Sequence, residues 1–452
     1  MEAEYYRSHE LGFGQSDISP DSLETVRNLK SHGYDGLLVG GCVRDLILGL
    51  KPKDFDVATD ALPNQVCKIF PRSRIIGRRF KIVHVRQRGR RYMDYIEVTT
   101  YRANPESSGS WMSRVFPKYG KKRRALHGEN IYGAREEDVM RRDFTINSLY
   151  YDPVEEQVID YLGGIRDIQQ QQLRMIGNPQ QRFLEDPARI IRAIRFKAKL
   201  GFDLECEMEE EIQQHAAWVE GLNSSRLYDE VIKFFNQGAA EESWDQIFKT
   251  PLGKMLFSHV ASGCKGSSSD SFKSFVRQAL RNTDRRVREG LPVIDSFFIS
   301  VVFWNEYQQS LLRYRAKGLR AYDAHDSAVS DCLVKSPELL VIPLRVRDIV
   351  QEIWRMQARL ERRHKRDIGA IMTDRRFRAA YDFLALRSKV GEIDLACAKW
   401  WTEIQKANSK KRMSMIDQLP DSGKTRSKRK GRKNRSDRQH EQSPATQPQD
   451  RM

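Results

Sequence analysis

The chain has 452 residues, 39% of them hydrophobic, with a formal net charge of +17 and a mean hydropathy of −0.65. That is room for roughly two to four domains with buried cores, and so basic a surface suits a polyanion, nucleic acid rather than a membrane. No apolar run reaches about 18 residues, so no transmembrane helix is expected; the acidic start Met1-Glu2-Ala3-Glu4 lacks the apolar core of a secretory signal, and 6 scattered cysteines without a C-x-x-C pair fit a reducing cytoplasm rather than zinc or disulfides.

Residues 1–33 read as an N-terminal extension, and residues 34–166 as mixed α/β. A short strand over 37–39 leads through Gly40-Gly41 into a brief helix over 43–48, stopped by Gly49. The two glycines offer backbone N–H groups where phosphates could rest. The next strand, 54–59, begins with Asp54 and Asp56. Strand side chains alternate, so the two carboxylates share a face. They repel unless a cation lies between them, and a hard divalent ion with oxygen ligands is the natural answer: Mg²⁺ beside phosphates, with Mn²⁺ an alternative. A helix is expected over 63–70 with Asp60 in its N-cap region. Segments 80–85 and 95–99 alternate like strands. The second places Glu97 between Ile96 and Val98, a third carboxylate near the pair. Residues 104–133 form a long, polar, basic connection, of the kind that is usually functional.

The stretch from Arg141 to Leu149 follows. Arg142 suits phosphate oxygens through forked, charge-assisted bonds. Asp143 can accept from a ribose hydroxyl or support the metal cluster, and Asn147 can bond sugar or phosphate. Residues 167–262 are helical. The best-defined helix starts at Asp186-Pro187 and ends before Gly201. Ile190, Ile191, Ile194 and Ala198 share one face; Arg189, Arg192, Arg195 and Lys199 occupy the other, and Arg192, Arg195 and Lys199 are candidate contacts to an RNA backbone. Within Glu185-Asp186-Pro187-Ala188-Arg189, Asp186 can accept from an exocyclic amine and Arg189 can donate to a ring nitrogen of one base. Asp186 as a simple helix cap is the competing reading.

Residues 263–270 read as a loop joining a second helical body, 263–408, rich in arginine between 345 and 387. His325-Asp326 reads as incidental. From 409 to 452 a disordered basic tail is expected, with Lys428, Arg429 and Lys430 at its most basic point as further RNA contacts.

Taken in order, Gly40-Gly41-x-Val43-Arg44-Asp45, Asp54-x-Asp56, Arg142-Asp143-Phe144-Thr145-x-Asn147 and Glu185-Asp186-x-x-Arg189 resemble the class II nucleotidyltransferases. That superfamily holds the bacterial poly(A) polymerases and the CCA-adding tRNA nucleotidyltransferases. Residues 75–85, the run 376–387 followed by Trp400-Trp401, and the basic tail are similar to the poly(A) polymerase branch. The resemblance implies an α+β protein: a polymerase-β-like head with a mixed sheet and helices, then all-α neck and body domains. It implies two-metal nucleotidyl transfer without a template. Asp54, Asp56, Asp143 and Glu97 would hold metal and organise the attacking hydroxyl. Gly40, Gly41, Arg44, Asp45, Arg142 and Asn147 would hold the nucleotide, with Asp186 and Arg189 selecting adenine. Expected partners are ATP and RNA 3′ ends, with RNA-decay proteins or a helicase open to such an enzyme. Two rivals stand: a CCA-adding enzyme, and a catalytically silent RNA-binding relative.

Overall fold

The computed structural model describes residues 2–77, 81–86, 95–103, 131–258, 260, 268–335 and 339–420. Most of the 104–133 connection and Lys428, Arg429 and Lys430 therefore lie outside the described residues. The head is built on strands β1 (Glu4–Arg7), β2 (Leu37–Val39), β3 (Asp56–Thr59), β4 (Ser73–Ile76), β5 (Ile82–Val85), β6 (Ile96–Thr100), β7 (Tyr150–Asp152) and β8 (Gln157–Asp160). They form one mixed sheet in the order β1-β8-β7-β2-β3-β6-β5-β4, with β3 and β6 parallel. Alternation gives the sheet two apolar faces. Leu38, Val57, Val98 and Tyr151 join Val26 and Leu29 of helix Pro20–Ser31 in the main core. Leu37, Val39, Ala58, Tyr150 and Ile159 build a smaller core on the opposite face with Tyr101 and Val139.

The expected boundary at residue 33 does not hold. β1 pairs antiparallel with β8, Tyr6 opposite Val158, and Val26 and Leu29 are fully buried. The first residues are thus an edge strand and a covering helix of the head itself. Asp60 is not the cap of the next helix. Its carboxylate accepts the Asp35 N–H at 2.7 Å, while helix Pro63–Ile69 is capped by Gln65, whose side chain accepts the Leu62 N–H at 2.7 Å.

Beyond the head the described chain is mostly helical. Helix Ala188–Leu200 buries Ile190, Ile191, Ile194 and Ala198 as expected. It ends at Gly201, in the left-handed region at φ 71°, whose N–H bonds back to Lys197. The expected joint at 263–270 separates no cores: Phe235 stacks on Phe298 with ring centroids 3.8 Å apart, and residues from Ser268 onward already belong to helix Ser268–Arg288. His325 is a packing residue, buried with Nδ1 2.7 Å from the Tyr307 hydroxyl. Arg387, the last arginine of the 345–387 stretch, is buried over the Trp304 ring and paired with Glu361 and Glu392. A second core gathers Met356, Leu360 and Trp401.

Order also continues past residue 409. Helix Ser409–Asp417 starts where the Asn408 side chain accepts the Lys411 N–H, and Met415 and Leu419 are buried in the second core. Met415 on the helix and Leu419 just past its end anchor the segment despite the basic composition around them. Among the described residues, no helix is long and apolar enough to cross a membrane.

Candidate active site

Asp56 opens β3 opposite Val39 of β2. In the parallel pair, Val57 stands beside Val98. One step back on each strand, Asp56 and Glu97 are neighbours on the opposite face. Asp54 precedes the strand, so strand alternation is not what aligns it; the chain entering β3 does. It still lies close enough for its charge to act on both Asp56 and Glu97. Burial, then Glu97 and Asp54, push the Asp56 carboxyl up to about 6, with Arg142 pulling the other way. Asp56 nonetheless reaches solvent: protein surrounds it on most sides and leaves one open. Burial and Asp54 likewise raise Glu97. Among the described residues no group of three His, Cys, Asp or Glu forms a ready-made metal cage. What exists is an accessible set of hard oxygen donors whose mutual repulsion a divalent cation would relieve, and that donor set fits Mg²⁺.

Gly40 acts differently from expectation. Its N–H donates to the Leu149 carbonyl at 3.1 Å and is not free for a phosphate. Its backbone is left-handed, φ 78°, and a Cβ there would stand 3.4 Å from Arg142 Nη1. Glycine is needed for the positive φ of the turn; a Cβ there would meet the guanidinium only in ordinary van der Waals contact. Gly41 opens helix Gly41–Ile47. Arg142 is held from behind: Nη2 donates to Asp138 Oδ2 at 2.8 Å, the Tyr150 hydroxyl donates to the same oxygen, and the guanidinium lies 5.2 Å from the Tyr150 ring centroid. It lies against Gly40, and its charge acts on Asp56. Gly40→Ala should lose about 1–2 kcal/mol of stability from the forced left-handed backbone and raise the KM for nucleotide more than it lowers kcat, read by melting and steady-state kinetics.

Several expected contacts turn out to be internal. Arg44 is 3% exposed. Nη1 donates to Asn147 Oδ1 at 2.6 Å, Nε and Nη2 donate to Asp45 Oδ1, and Phe196 of the neck helix lies under the guanidinium at 5.1 Å. It is enclosed, not presented to a ligand. Asp45 faces inward with it, 3.9 Å from Lys199. Asp143 is also buried. Oδ1 accepts from the Phe144 N–H and from Asn147 Nδ2, and Oδ2 is 2.5 Å from Arg192. Burial alone would raise its carboxyl; Arg192, Asn147 and the Phe144 amide outweigh that and hold it below the usual range. Arg195 is buried over Phe196 and donates to Gln237 at 2.9 Å. The basic side of the neck helix thus docks on the head, where a solvent-facing RNA surface was expected, and a polar chain runs Lys199–Asp45–Arg44–Asn147–Asp143–Arg192 between them.

Asp186 and Arg189 meet at the corner between helices Pro179–Glu185 and Ala188–Leu200. Asp186 ends the first helix, the N-cap of the second is Pro187, and Asp186 Oδ1 accepts the Ala188 N–H at 3.2 Å across the corner. Its Oδ2 pairs with Arg226 at 2.6 Å. Arg189 Nη1 donates to the Arg182 carbonyl and to Glu185. Sequence reasoning missed Asp138, Arg182 and Arg226. Asp138 was findable as an acid four residues before Arg142 on a helical stretch; Arg226, forty residues from Asp186, carries no local signal.

Three family models match: the poly A polymerase head domain over residues 37–174, the probable RNA and SrmB-binding site of polymerase A over 201–264, and the polymerase A arginine-rich C-terminus over 317–437. Poly(A) polymerase I of Salmonella typhimurium is 36% identical over 94% of this chain and 90% of its own length. The CCA-adding enzyme of Geobacillus stearothermophilus is 34% identical over 52% of this chain and 54% of its own. Among solved structures, the Bacillus stearothermophilus CCA-adding enzyme in complex with CTP aligns with a TM-score of 0.55 at 24% identity, covering 89% of each chain; at that identity the likeness is one of fold.

Proposed function

The chain belongs to the bacterial poly(A) polymerase I family, and on that premise we propose that it extends RNA 3′ ends with AMP from ATP, without a template, releasing pyrophosphate. The observation that carries this reading is the extent of the likeness. Identity to poly(A) polymerase I runs through the arginine-rich C-terminal third, whereas the CCA-adding relative matches about half the chain.

In the reaction the primer's 3′ oxygen bonds to the α-phosphorus as the bond to pyrophosphate breaks in line. Asp54, Asp56 and Glu97 would hold Mg²⁺, or Mn²⁺ in its place, and the bound ion would supply neutralisation of phosphate charge and activation of the hydroxyl. Arg142, braced by Asp138 and Tyr150, meets the triphosphate oxygens beside Gly40. Asp186 and Arg189 select adenine from their shared corner, and Asp186 exchanges or shares its bond to Arg226 to do so. Asp143 and Arg44 keep the head and neck helix in register, so that the phosphate site and the base site stay a fixed distance apart. Exposed arginines of the body and the basic tail hold the RNA backbone, and the enzyme acts in the cytoplasm to mark RNA for decay.

The test offers ATP, CTP, GTP and UTP singly, with a tRNA lacking its terminus and with an unrelated RNA oligomer. Long A tracts on the unrelated oligomer are expected. Incorporation of C confined to the tRNA end would establish the CCA-adding reading instead. Primer affinity should fall steeply with salt, as phosphate-dominated binding does.

A further inference from the structure

We infer that His84 is a positioning residue for the metal-binding carboxylates: its imidazole orients Glu97 toward the cation shared with Asp54 and Asp56. The inference rests on the metal reading above. β5 and β6 pair antiparallel with His84 directly opposite Glu97, so the two side chains share a face. His84 Nε2 lies 3.4 Å from Glu97 Oε1. The ring stacks on Tyr95, with centroids 3.7 Å apart and planes within 12° of parallel. The strand and the stack together fix the plane of the ring and leave Nε2 at the carboxylate.

Packing does not explain why this residue is a histidine. Nδ1 is buried and, among the described residues, has no hydrogen-bond partner. A bare buried nitrogen costs stability, and a phenylalanine would fill the same stack without that cost. Histidine adds a polar atom on Glu97. A ring N–H steers a carboxylate oxygen toward the cation, whereas a lysine or arginine there would place a fixed positive charge in competition with it. Groups that orient a metal's ligands in this way are worth a large factor in metal affinity. His84 lies in residues 75–85, a stretch to which the reaction otherwise assigns no chemistry.

The experiment uses the full chain as wild type, His84→Ala, His84→Gln and Asp54→Asn. Mg²⁺ is titrated against thermal melting of the protein without nucleotide or RNA, and separately against AMP addition at saturating ATP and primer. Wild type should melt higher as Mg²⁺ rises. His84→Ala should need roughly 10-fold more Mg²⁺ for half-effect in both readouts and regain most of its kcat at high Mg²⁺, and His84→Gln, whose amide also presents an N–H, should return to within about 3-fold of wild type. Half-points equal to wild type in His84→Ala overturn the inference, even if that variant melts lower without Mg²⁺, because such a residue is only structural. If wild type and Asp54→Asn both show no Mg²⁺-dependent shift, the metal reading itself fails and this inference with it.

Discussion

Asp56→Asn should leave a folded protein that still binds RNA but transfers AMP on the order of 10³-fold more slowly or worse. The same variant should be more stable than wild type in metal-free buffer at neutral pH. The sign follows from its raised carboxyl, pushed up to about 6 by burial, Glu97 and Asp54. A group whose folded pKa lies above its unfolded value contributes stability below the unfolded value and loses it as pH rises through the folded one. At pH 7.5 the ionised carboxylate therefore strains the fold, and the amide does not. In a sealed site a shift of this size would be worth about 3 kcal/mol. Asp56 reaches solvent, so screening reduces the expected gain to about 1 kcal/mol. Melting without metal at pH 7.5 and at pH 4 checks it: the gain should be present at the first and gone at the second. The double variant Asp54→Ala plus Asp56→Ala should be equally inactive with RNA binding intact. Unchanged AMP addition in that protein would sink the metal assignment.

Arg44→Ala should destabilise the protein by about 3 kcal/mol, because it strands a buried network rather than removing a surface charge. The guanidinium bonds Asp45 and Asn147 at once, and Asn147 in turn holds Asp143 against Arg192. Arg44→Lys should recover only part of the loss, since a point charge cannot serve both partners. If the chain acts as a unit, Arg44→Ala and Arg192→Ala should be non-additive by about 1 kcal/mol or more in a double-mutant cycle. Denaturant unfolding of the four proteins measures this. Strict additivity would mean that the head and the neck helix are held by separate contacts.

Much of the fold was legible because its signals are local. Period-two alternation found β5 and β6, short runs before and after the Gly40-Gly41 turn found β2 and β3, and a Pro–Gly bounded 3.6-residue pattern found the neck helix with its apolar face. Misplaced boundaries came where long-range pairing overrode local character. Residues 1–33 look like an extension until β1 pairs with β8. Residues 409–417 look like tail until Met415 finds the second core.

The sequence itself singled out the carboxylates Asp54, Asp56 and Glu97 and the cation Arg142: their chemistry and their order along the chain point to the metal-assisted nucleotidyl transfer proposed above, in its poly(A) and CCA-adding forms alike. Which of the other polar residues face a ligand was decided only by the tertiary structure. Arg44, Asp143, Arg192 and Arg195 have the residue types of a binding site, yet the docking of the neck helix on the head turns the first three into one internal network, and Arg195 turns to Gln237 within the neck. The reason is physical. A charge near a strand end can serve a ligand or a neighbouring element equally well, and only the three-dimensional approach of Arg192 to Asp143, at 2.5 Å, says which it does.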